Sequence, residues 1–290
     1  MSWVTIDEKE CNQCGLCVTR CMTCFSSKDG VVAVEANEIT CNLCGHCVSL
    51  CPTDAIRHER MDMGNFPLLE RGIPFDTEQL VAFLRQRRSH RHFTGKQIPR
   101  EHLEALVDIC RYAPTGSNRQ AVEIRVIQAP DRVALLSDLT VDYFVNMIEQ
   151  LETQVEKLNA EGEEVPEELR IPYENALRYK PMTMARKLGM DAVFRKAPCV
   201  MVFHASPQKA TTPKDDCVIA AQTVSMLART MKLETCYIGL FTAAANAHPP
   251  ILEELRLPPG NKVYSVLILG YPKLRYLRAV DRKPIQVTWE

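Results

Sequence analysis

The feature that most constrains the fold of this chain is a repeated run of cysteines near its start. The spacing C-x2-C-x2-C-x3-C occurs twice, and each cysteine recurs thirty positions later. The two runs are Cys11, Cys14, Cys17 and Cys21, followed by Cys41, Cys44, Cys47 and Cys51. No basic stretch followed by an apolar one opens the sequence, so we expect no secretory signal. In such a chain clustered thiols are expected to bind metal rather than to form disulfides.

The cysteine spacing predicts two [4Fe–4S] clusters. Three thiolates from one tight loop hold three irons, and the fourth cysteine of each run ligates the other cluster. Cys51 is followed by Pro52, as this pattern requires. We therefore expect one cluster on Cys11, Cys14, Cys17 and Cys51, and the second on Cys41, Cys44, Cys47 and Cys21. Structural zinc is the alternative, but two cysteine pairs per site would satisfy it, and the third cysteine of each run would then have no role.

Residues 1–58 resemble bacterial-type ferredoxins with two [4Fe–4S] clusters. The resemblance departs from the pattern at Cys21, which is followed by Met22 rather than proline, and Cys24 lies three residues further on. Cys24 is either a spare thiol or a competitor for the ligand position, and the repeat favours Cys21. A ferredoxin unit carries single electrons and has no substrate chemistry of its own, so the rest of the chain should supply an electron acceptor.

The charge balance excludes some classes of partner. Lys plus Arg total 35 and Asp plus Glu total 36, which gives a net charge of −1. This value argues against binding to nucleic acid or to an anionic membrane surface. No apolar run approaches the roughly 20 residues of a membrane-spanning helix, so we expect a cytoplasmic protein.

Beyond the cysteines, residues 59–77 carry Gly and Pro without a clean period and read as a linker or arm. Residues 78–290 alternate helix and strand patterns and predict a second domain of the α+β class, layered from helices and a sheet. The first expected helix begins at Asp76 or Thr77, and the next has Pro99 in its first turn. Two more are expected, from Tyr143 to Leu158 and from Asp215 to Met231. The expected strands are Glu123 to Gln128, Cys199 to His204 and Val263 to Leu269.

Two segments of the second domain carry chemical information. In the first, Arg87, Arg88, Ser89 and Arg91 form a compact anion site, because guanidinium groups match phosphate oxygens bidentately. The alternative is a solvated basic helix end stabilised by the helix dipole. The second segment runs from Ala113 to Gln120, where Pro and Gly break the helix and polar side chains follow. Alone, it would be an ordinary polar turn.

In this order and separation, the two segments resemble the FMN-dependent nitroreductase family. Arg87, Ser89 and Arg91 match its phosphate and ribityl motif, and the second segment matches its Ala-Pro-Ser-x-x-Asn-x-Gln loop, with Thr115 in place of serine. The end of the family's domain is similar to Gly270-Tyr271-Pro272 and the basic residues after it. The family's segment that passes the flavin ring is similar to Cys236 to Phe241. The candidate FMN-binding residues are Arg87, Arg88, Ser89, Arg91, Pro114, Thr115, Gly116, Asn118, Gln120, Ile238, Gly239, Leu240, Arg278 and Arg282.

The resemblance implies a homodimer with FMN at the interface and the 114–120 loop reaching the partner's flavin. It also implies that the flavin performs the chemistry and that no side chain acts as nucleophile. Arg91 is the candidate cation that tunes the flavin, and either Arg278 or Arg282 would contact phosphate. Residues 140–195 resemble no segment of the family to which a role could be assigned.

The fusion suggests an FMN-dependent iron–sulfur oxidoreductase in which the two clusters relay single electrons to the flavin. The acceptor would be a small, electron-poor molecule: a nitroaromatic, a quinone or an activated alkene. An external ferredoxin is the donor in this scheme. Alternatively, NAD(P)H reduces the flavin and the clusters pass electrons outward to a partner, or the chain is a redox carrier or sensor without turnover.

Overall fold

A computed structural model describes residues 2–69, 72 and 76–290 of the chain. Its contacts divide the chain into two compact units. The first comprises Met1–Asp76 with Ser117–Arg119, and the second comprises Thr77–Gly116 with Gln120–Glu290. Residues 70, 71 and 73–75 of the predicted linker lie outside the described residues. The domain bounds 1–58, 59–77 and 78–290 remain a prediction.

The first unit consists of two small antiparallel sheets and two short helices. In chain order, its elements are β1 (Val4–Ile6), α1 (Leu16–Arg20), β2 (Phe25–Lys28), β3 (Val31–Val34), α2 (His46–Leu50) and β4 (Ile56–His58). β1 pairs with β4, and β2 pairs with β3. The β2–β3 hairpin turns at Asp29 and Gly30, which both have positive φ (51° and 81°), as a two-residue hairpin turn favours. Strand β3 begins directly after this turn.

The cysteine repeat in the sequence is also a repeat in the structure. Gly15 and Gly45 precede α1 and α2 with φ of 72° and 70°, a left-handed conformation that glycine adopts without strain. Each helix has five residues and is followed at once by the fourth cysteine of its run, Cys21 or Cys51. The chain therefore turns twice in the same way around its cysteines.

The segment after β4 belongs to the first unit for at least part of its length. A 3-10 turn at Met63–Asn65 begins at Asp62, whose carboxylate accepts a hydrogen bond from the Gly64 backbone N–H (3.0 Å). Met63 and Phe66 pack against the core of this unit, which contains Val4 and Ile56. The early part of the region that the sequence marked as a linker is thus folded structure.

The second unit is built on a four-stranded antiparallel sheet with helices on both faces. Its strands are β5 (Glu123–Ile127), β6 (Cys199–Ala205), β7 (Glu234–Tyr237) and β8 (Lys262–Gly270), in the spatial order β5-β6-β8-β7. Its helices are α3 (Thr77–Gln86), α4 (Arg100–Asp108), α5 (Pro130–Glu161), α6 (Glu167–Ala176), α7 (Pro181–Lys187), α8 (Pro213–Thr230), α9 (Gly239–Ala247) and α10 (Pro249–Leu255). The α+β class is confirmed.

The period of two along the central strands divides the core into two layers. On one face of the sheet, Val200 and Val202 of β6 join a cluster with residues of α5, α9 and α10. On the other face, Met201 and Phe203 join residues of α4 and α8. All seven residues of β6 are buried, because helices cover both faces of the sheet.

Most of the expected elements are present, with three differences. The helix expected from Tyr143 begins at Pro130, because a proline suits the first turn and apolar spacing continues through Val133 and Leu136. Helix α3 exists, but its apolar residues do not form a buried face, since Leu80, Val81 and Leu84 are exposed (Leu84 48%). Helices α6, α7, α9 and α10 and strand β7 were not predicted. In the part of the chain that is described, no helix is both long and apolar enough to cross a membrane.

Candidate functional site

The first predicted set of cysteines surrounds one small cavity of the first unit. Cys11, Cys14 and Cys17 line it together with Cys51, which lies thirty-four residues further along the chain than Cys17. The remaining lining is largely apolar, including Ile6 and Ile56 from the paired strands β1 and β4. The structure therefore brings together the crossed four-thiol set that the spacing predicts, and its chemistry fits an iron–sulfur cluster.

The second predicted set also converges. Burial, with a smaller contribution from the nearby thiols of Cys44, Cys41 and Cys21, raises the pKa of the Cys47 thiol to about 11. Cys21, the fourth ligand of the first run, is therefore close to the second loop, as crossing requires. Burial acts against the Cys21 thiolate, but hydrogen bonds from Thr23 and from the backbone of Cys24 leave its pKa below the ordinary value.

Cys24 has a different environment from the predicted ligands. It is only 4% exposed and packs in the core of the first unit, and its Sγ donates to the backbone oxygen of Thr40 at 3.2 Å. Burial raises the pKa of its thiol, which disfavours the thiolate that a metal needs. These contacts favour Cys21 as the ligand.

A single metal ion places all its ligand atoms about 2–2.3 Å from one point. Among the described residues, no group of three or more His, Cys, Asp or Glu side chains converges in that way.

The basic segment of the second unit directly follows α3. Arg87, Arg88 and Ser89 are half-buried, whereas Arg91 is exposed. One nitrogen of Arg88 donates to the backbone oxygens of Arg85 (2.8 Å) and Arg87 (2.7 Å) at the helix end. Its Nε is buried without a protein partner. Arg88 thus partly serves as a helix cap and leaves one buried donor for another acceptor.

Contacts before and within this basic segment fix it in place. Before it, the Arg229 guanidinium lies over the Phe83 ring, 4.6 Å from its centroid, and donates to the Phe83 backbone oxygen. Within it, the His90 backbone N–H donates to the Thr235 backbone oxygen at 3.0 Å, and the His90 ring lies 3.6 Å from the Glu234 carboxylate. The arginines are therefore presented by a rigid support.

The residues around the basic segment also contact the end of the sheet and the start of the C-terminal segment. The Thr94 N–H donates to the Tyr271 oxygen (2.9 Å), and the Lys273 N–H donates to the His92 oxygen (2.9 Å). The His90 and Tyr276 rings meet edge to face at 4.8 Å. The Gly-Tyr-Pro segment and the basic segment are therefore neighbours, as the resemblance implies. Arg278 and Arg282 follow on the exposed C-terminal stretch.

The junction between β7 and α9 lies beside the basic segment. Burial raises the pKa of Tyr237 to about 12, and the positive charge of Arg87 opposes this shift, so Arg87 is close to the phenol. Ile238 is buried and its N–H donates to the Val266 oxygen at 3.0 Å. Gly239 begins α9 and is exposed, and a Cβ placed on it would meet no atom within 4 Å. Leu240 is half-buried. Open backbone at this helix start, next to arginines, fits an anionic flavin cofactor.

The 114–120 loop is held in place by a buried carboxylate, that of Asp216. The Asp216 Oδ1 accepts hydrogen bonds from the Gly116 N–H (2.9 Å) and from the Thr212 hydroxyl (2.8 Å), and Asp216 is 1% exposed. Within the loop, the Gln120 N–H donates to the Thr115 hydroxyl at 3.0 Å. Sequence reasoning missed Asp216, although an acid in the first turn of a helix that starts with proline was a usable signal.

Asn118 is grouped with the first unit. Its side-chain amide donates to the backbone oxygens of Asn42 and Leu43, both at 2.9 Å. Pro114 is exposed, and Ser117, Asn118 and Gln120 adopt positive φ between 49° and 53°. Among the described residues of the second unit, no hydrogen bond or ion pair joins Pro114, Thr115, Gly116 or Gln120 to Arg87, Arg88, Ser89 or Arg91. The predicted flavin residues therefore form two groups within one chain.

The described residues of the second unit line at least two cavities. One of about 270 Å³ is lined by Thr115 and Gln120 of the loop, with Val107 and Ile124. A larger one of about 580 Å³ lies between the start of α5 and residues 186–198 and contains none of the predicted site residues. Cavity size therefore does not identify the predicted site.

Comparison with known proteins decides the family. Residues 84–271 match the nitroreductase family, and residues 34–57 match the 4Fe-4S binding domain. The chain belongs to the nitroreductase family. The matched cluster region contains the second run of cysteines, Cys41 to Cys51.

A curated relative and two solved structures agree with this assignment. A 4-nitrobenzoate reductase from Pseudomonas putida is 25% identical over 198 residues, covering 67% of this chain and 86% of the relative. A nitroreductase with bound FMN from Bacteroides fragilis superposes with a TM-score of 0.52 at 19% identity, covering 73% of this chain and 100% of that one. One from Desulfitobacterium hafniense, also with bound FMN, gives a TM-score of 0.52 at 19% identity, covering 72% and 98%. The prediction of a nitroreductase-like oxidoreductase with an N-terminal 4Fe-4S domain is confirmed.

Proposed function

We propose that this nitroreductase-family protein is an FMN-dependent oxidoreductase in which two [4Fe–4S] clusters relay single electrons to a flavin that reduces a small, electron-poor acceptor. When bound, FMN exchanges one or two electrons, and iron–sulfur clusters exchange one at a time. The observation that carries the proposal is the crossed convergence of Cys51 with the first run and of Cys21 with the second. Two complete four-thiol sets that precede a flavoprotein domain in the same chain favour an internal electron relay.

The residues of the second unit have distinct roles in this proposal. Arg87, Ser89 and Arg91 bind the FMN phosphate and ribityl chain, and the buried Nε of Arg88 supplies one further donor. The backbone N–H of Gly239 contacts the edge of the flavin ring, and Arg91 is the candidate cation that tunes the flavin. Arg278 or Arg282 closes the phosphate site.

A homodimer completes the site in this scheme. Pro114, Thr115, Gly116 and Gln120 form no hydrogen bond or ion pair with the arginine segment of their own unit, which supports a role of this loop at the partner's flavin. The C-terminal stretch supports the same conclusion, because it is irregular and exposes large apolar side chains: Leu277 (80%), Ile285 (87%) and Trp289 (90%). Such a surface is expected to be covered by another chain.

The acceptor class is a nitroaromatic, a quinone or an activated alkene. Because one relative is named a 4-nitrobenzoate reductase, 4-nitrobenzoate is the first acceptor to test. A cytoplasmic location remains a prediction from the sequence.

Anaerobic stopped-flow spectroscopy tests the direction of electron flow. We expect reduced ferredoxin to bleach the cluster absorbance before the flavin absorbance, and the flavin to be reoxidised when the acceptor is added. Bleaching of the flavin first by NAD(P)H would instead support electron flow outward through the clusters. If every acceptor fails with all cofactors loaded, the protein is a carrier or sensor, and the proposed turnover is wrong.

A further inference from the structure

The two cysteine sets are equivalent in sequence, but one of them has a side-chain donor that the other does not. The Nε2 of His58 lies 3.4 Å from the Sγ of Cys41. His58 is the last residue of β4 and is only 2% exposed, so water does not compete for this contact. Both residues belong to the first unit.

The hydrogen bonds of His58 assign its tautomer. The Arg60 backbone N–H donates to Nδ1 at 3.2 Å, so Nδ1 carries a lone pair. A neutral imidazole then has its hydrogen on Nε2, the nitrogen that faces Cys41. The contact is therefore an N–H···S hydrogen bond with the histidine as donor.

The first cysteine set lacks this donor. Thirty positions before His58 and Cys41 stand Lys28 and Cys11, and Lys28 is exposed. Within residues 2–69, 72 and 76–290, no side chain donates to the Cys11 sulfur. The fourth cysteines are more alike, because each pairs with a threonine hydroxyl two residues on: Cys21 with Thr23 at 3.4 Å and Cys51 with Thr53 at 3.7 Å. His58 is thus a clear difference between the sets.

We propose that His58 raises the reduction potential of the cluster held by Cys41, Cys44, Cys47 and Cys21, and so makes the two clusters unequal. The inference rests on the proposed function, because it assumes that both sets hold clusters. Reduction adds one negative charge that is shared by the ligand sulfurs, and a buried N–H directed at one of them stabilises this charge. Hydrogen bonds to sulfur are among the factors that set cluster potentials.

The test is a redox titration of the full chain followed by electron paramagnetic resonance. His58→Phe keeps a ring in the buried site and removes the donor, whereas His58→Gln keeps an N–H near the Nε2 position. We expect His58→Phe to move one of the two transitions to lower potential and His58→Gln to stay closer to the wild type. Lys28→Gln, the matched change in the other repeat, should move neither.

Iron and sulfide content separates the possible failures. If the wild-type protein holds no clusters, both the proposed function and this inference are wrong. If His58→Phe holds both clusters at unchanged potentials, or shifts both equally, only the inference is wrong.

A second measurement needs no folded variant at position 58. Pulsed paramagnetic resonance of reduced wild-type protein labelled with ¹⁵N-histidine should detect coupling to a histidine nitrogen. The coupling should persist in His46→Gln, since His46 lies in the second cluster loop but its ring nitrogen contacts Arg20. Absence of the coupling in the wild type, or its loss in His46→Gln, would overturn the assignment to His58.

Discussion

Replacing Gly116 by alanine should destabilise the second unit, because the loop passes too close to the start of α8 to admit a side chain. A Cβ at this position would lie 2.4 Å from the Thr212 Oγ1, 3.2 Å from the Thr211 Cβ and 3.2 Å from the Thr212 backbone nitrogen. Rotating the Thr212 hydroxyl away would relieve the shortest contact but would break its 2.8 Å hydrogen bond to the buried Asp216 carboxylate.

The magnitude follows from these two effects. A lost hydrogen bond to a charged group costs about 1.5–3 kcal/mol, and an added methyl in a tight site costs about 1–3 kcal/mol. Because rotation relieves part of the overlap, we expect the free energy of unfolding to fall by about 2–4 kcal/mol.

Denaturant unfolding followed by far-ultraviolet circular dichroism measures this change. Gly95→Ala is the matched control, since a Cβ there meets nothing within 4 Å and its φ is not in the left-handed range. It should change the stability by less than about 0.5 kcal/mol. Equal midpoints for the two variants would refute the packing argument.

Three further predictions concern the cofactors and the assembly. Arg87→Ala should weaken FMN retention about 10- to 100-fold, because a charge-assisted hydrogen bond is lost, and should leave the iron content unchanged. Unaltered flavin occupancy in equilibrium dialysis would reject the phosphate role. Cys21→Ala should lose about half of the iron while Cys24→Ala keeps it, and the reverse result in iron analysis would make Cys24 the ligand. Deleting residues 277–290 should shift the mass measured by sedimentation from dimer to monomer, and an unchanged mass would show that the exposed apolar tail does not hold the assembly.

The sequence was sufficient to propose the two cluster sets, because the signal of their cysteines is local. Iron–sulfur ligands follow a fixed spacing, and the crossing of Cys21 and Cys51 follows from that spacing alone. The strands β5, β6 and β8 were also predictable, because short apolar runs rich in β-branched residues are typical of buried strands.

The remaining features depend on contacts between distant parts of the chain. Gly116 and Asp216 are separated by a hundred residues, so nothing local marks their hydrogen bond. In the sequence, His58 looks like an ordinary strand residue. Only the folded position of β4 places it against Cys41, which stands seventeen residues earlier in the chain. Helices α6 and α7 were missed because Pro172 and Pro181 interrupt the pattern, although Pro181 in fact sits in the first turn of α7.

The proposed electron relay requires that both cysteine sets hold iron–sulfur clusters in a chain that also binds FMN. Metal, acid-labile sulfide and flavin analysis of anaerobically purified, reconstituted protein tests this requirement. We predict about eight irons, about eight sulfides and about one FMN per chain, with absorbance near 400 nm that dithionite bleaches. Zinc in place of iron, or a colourless protein after reconstitution, would contradict the account.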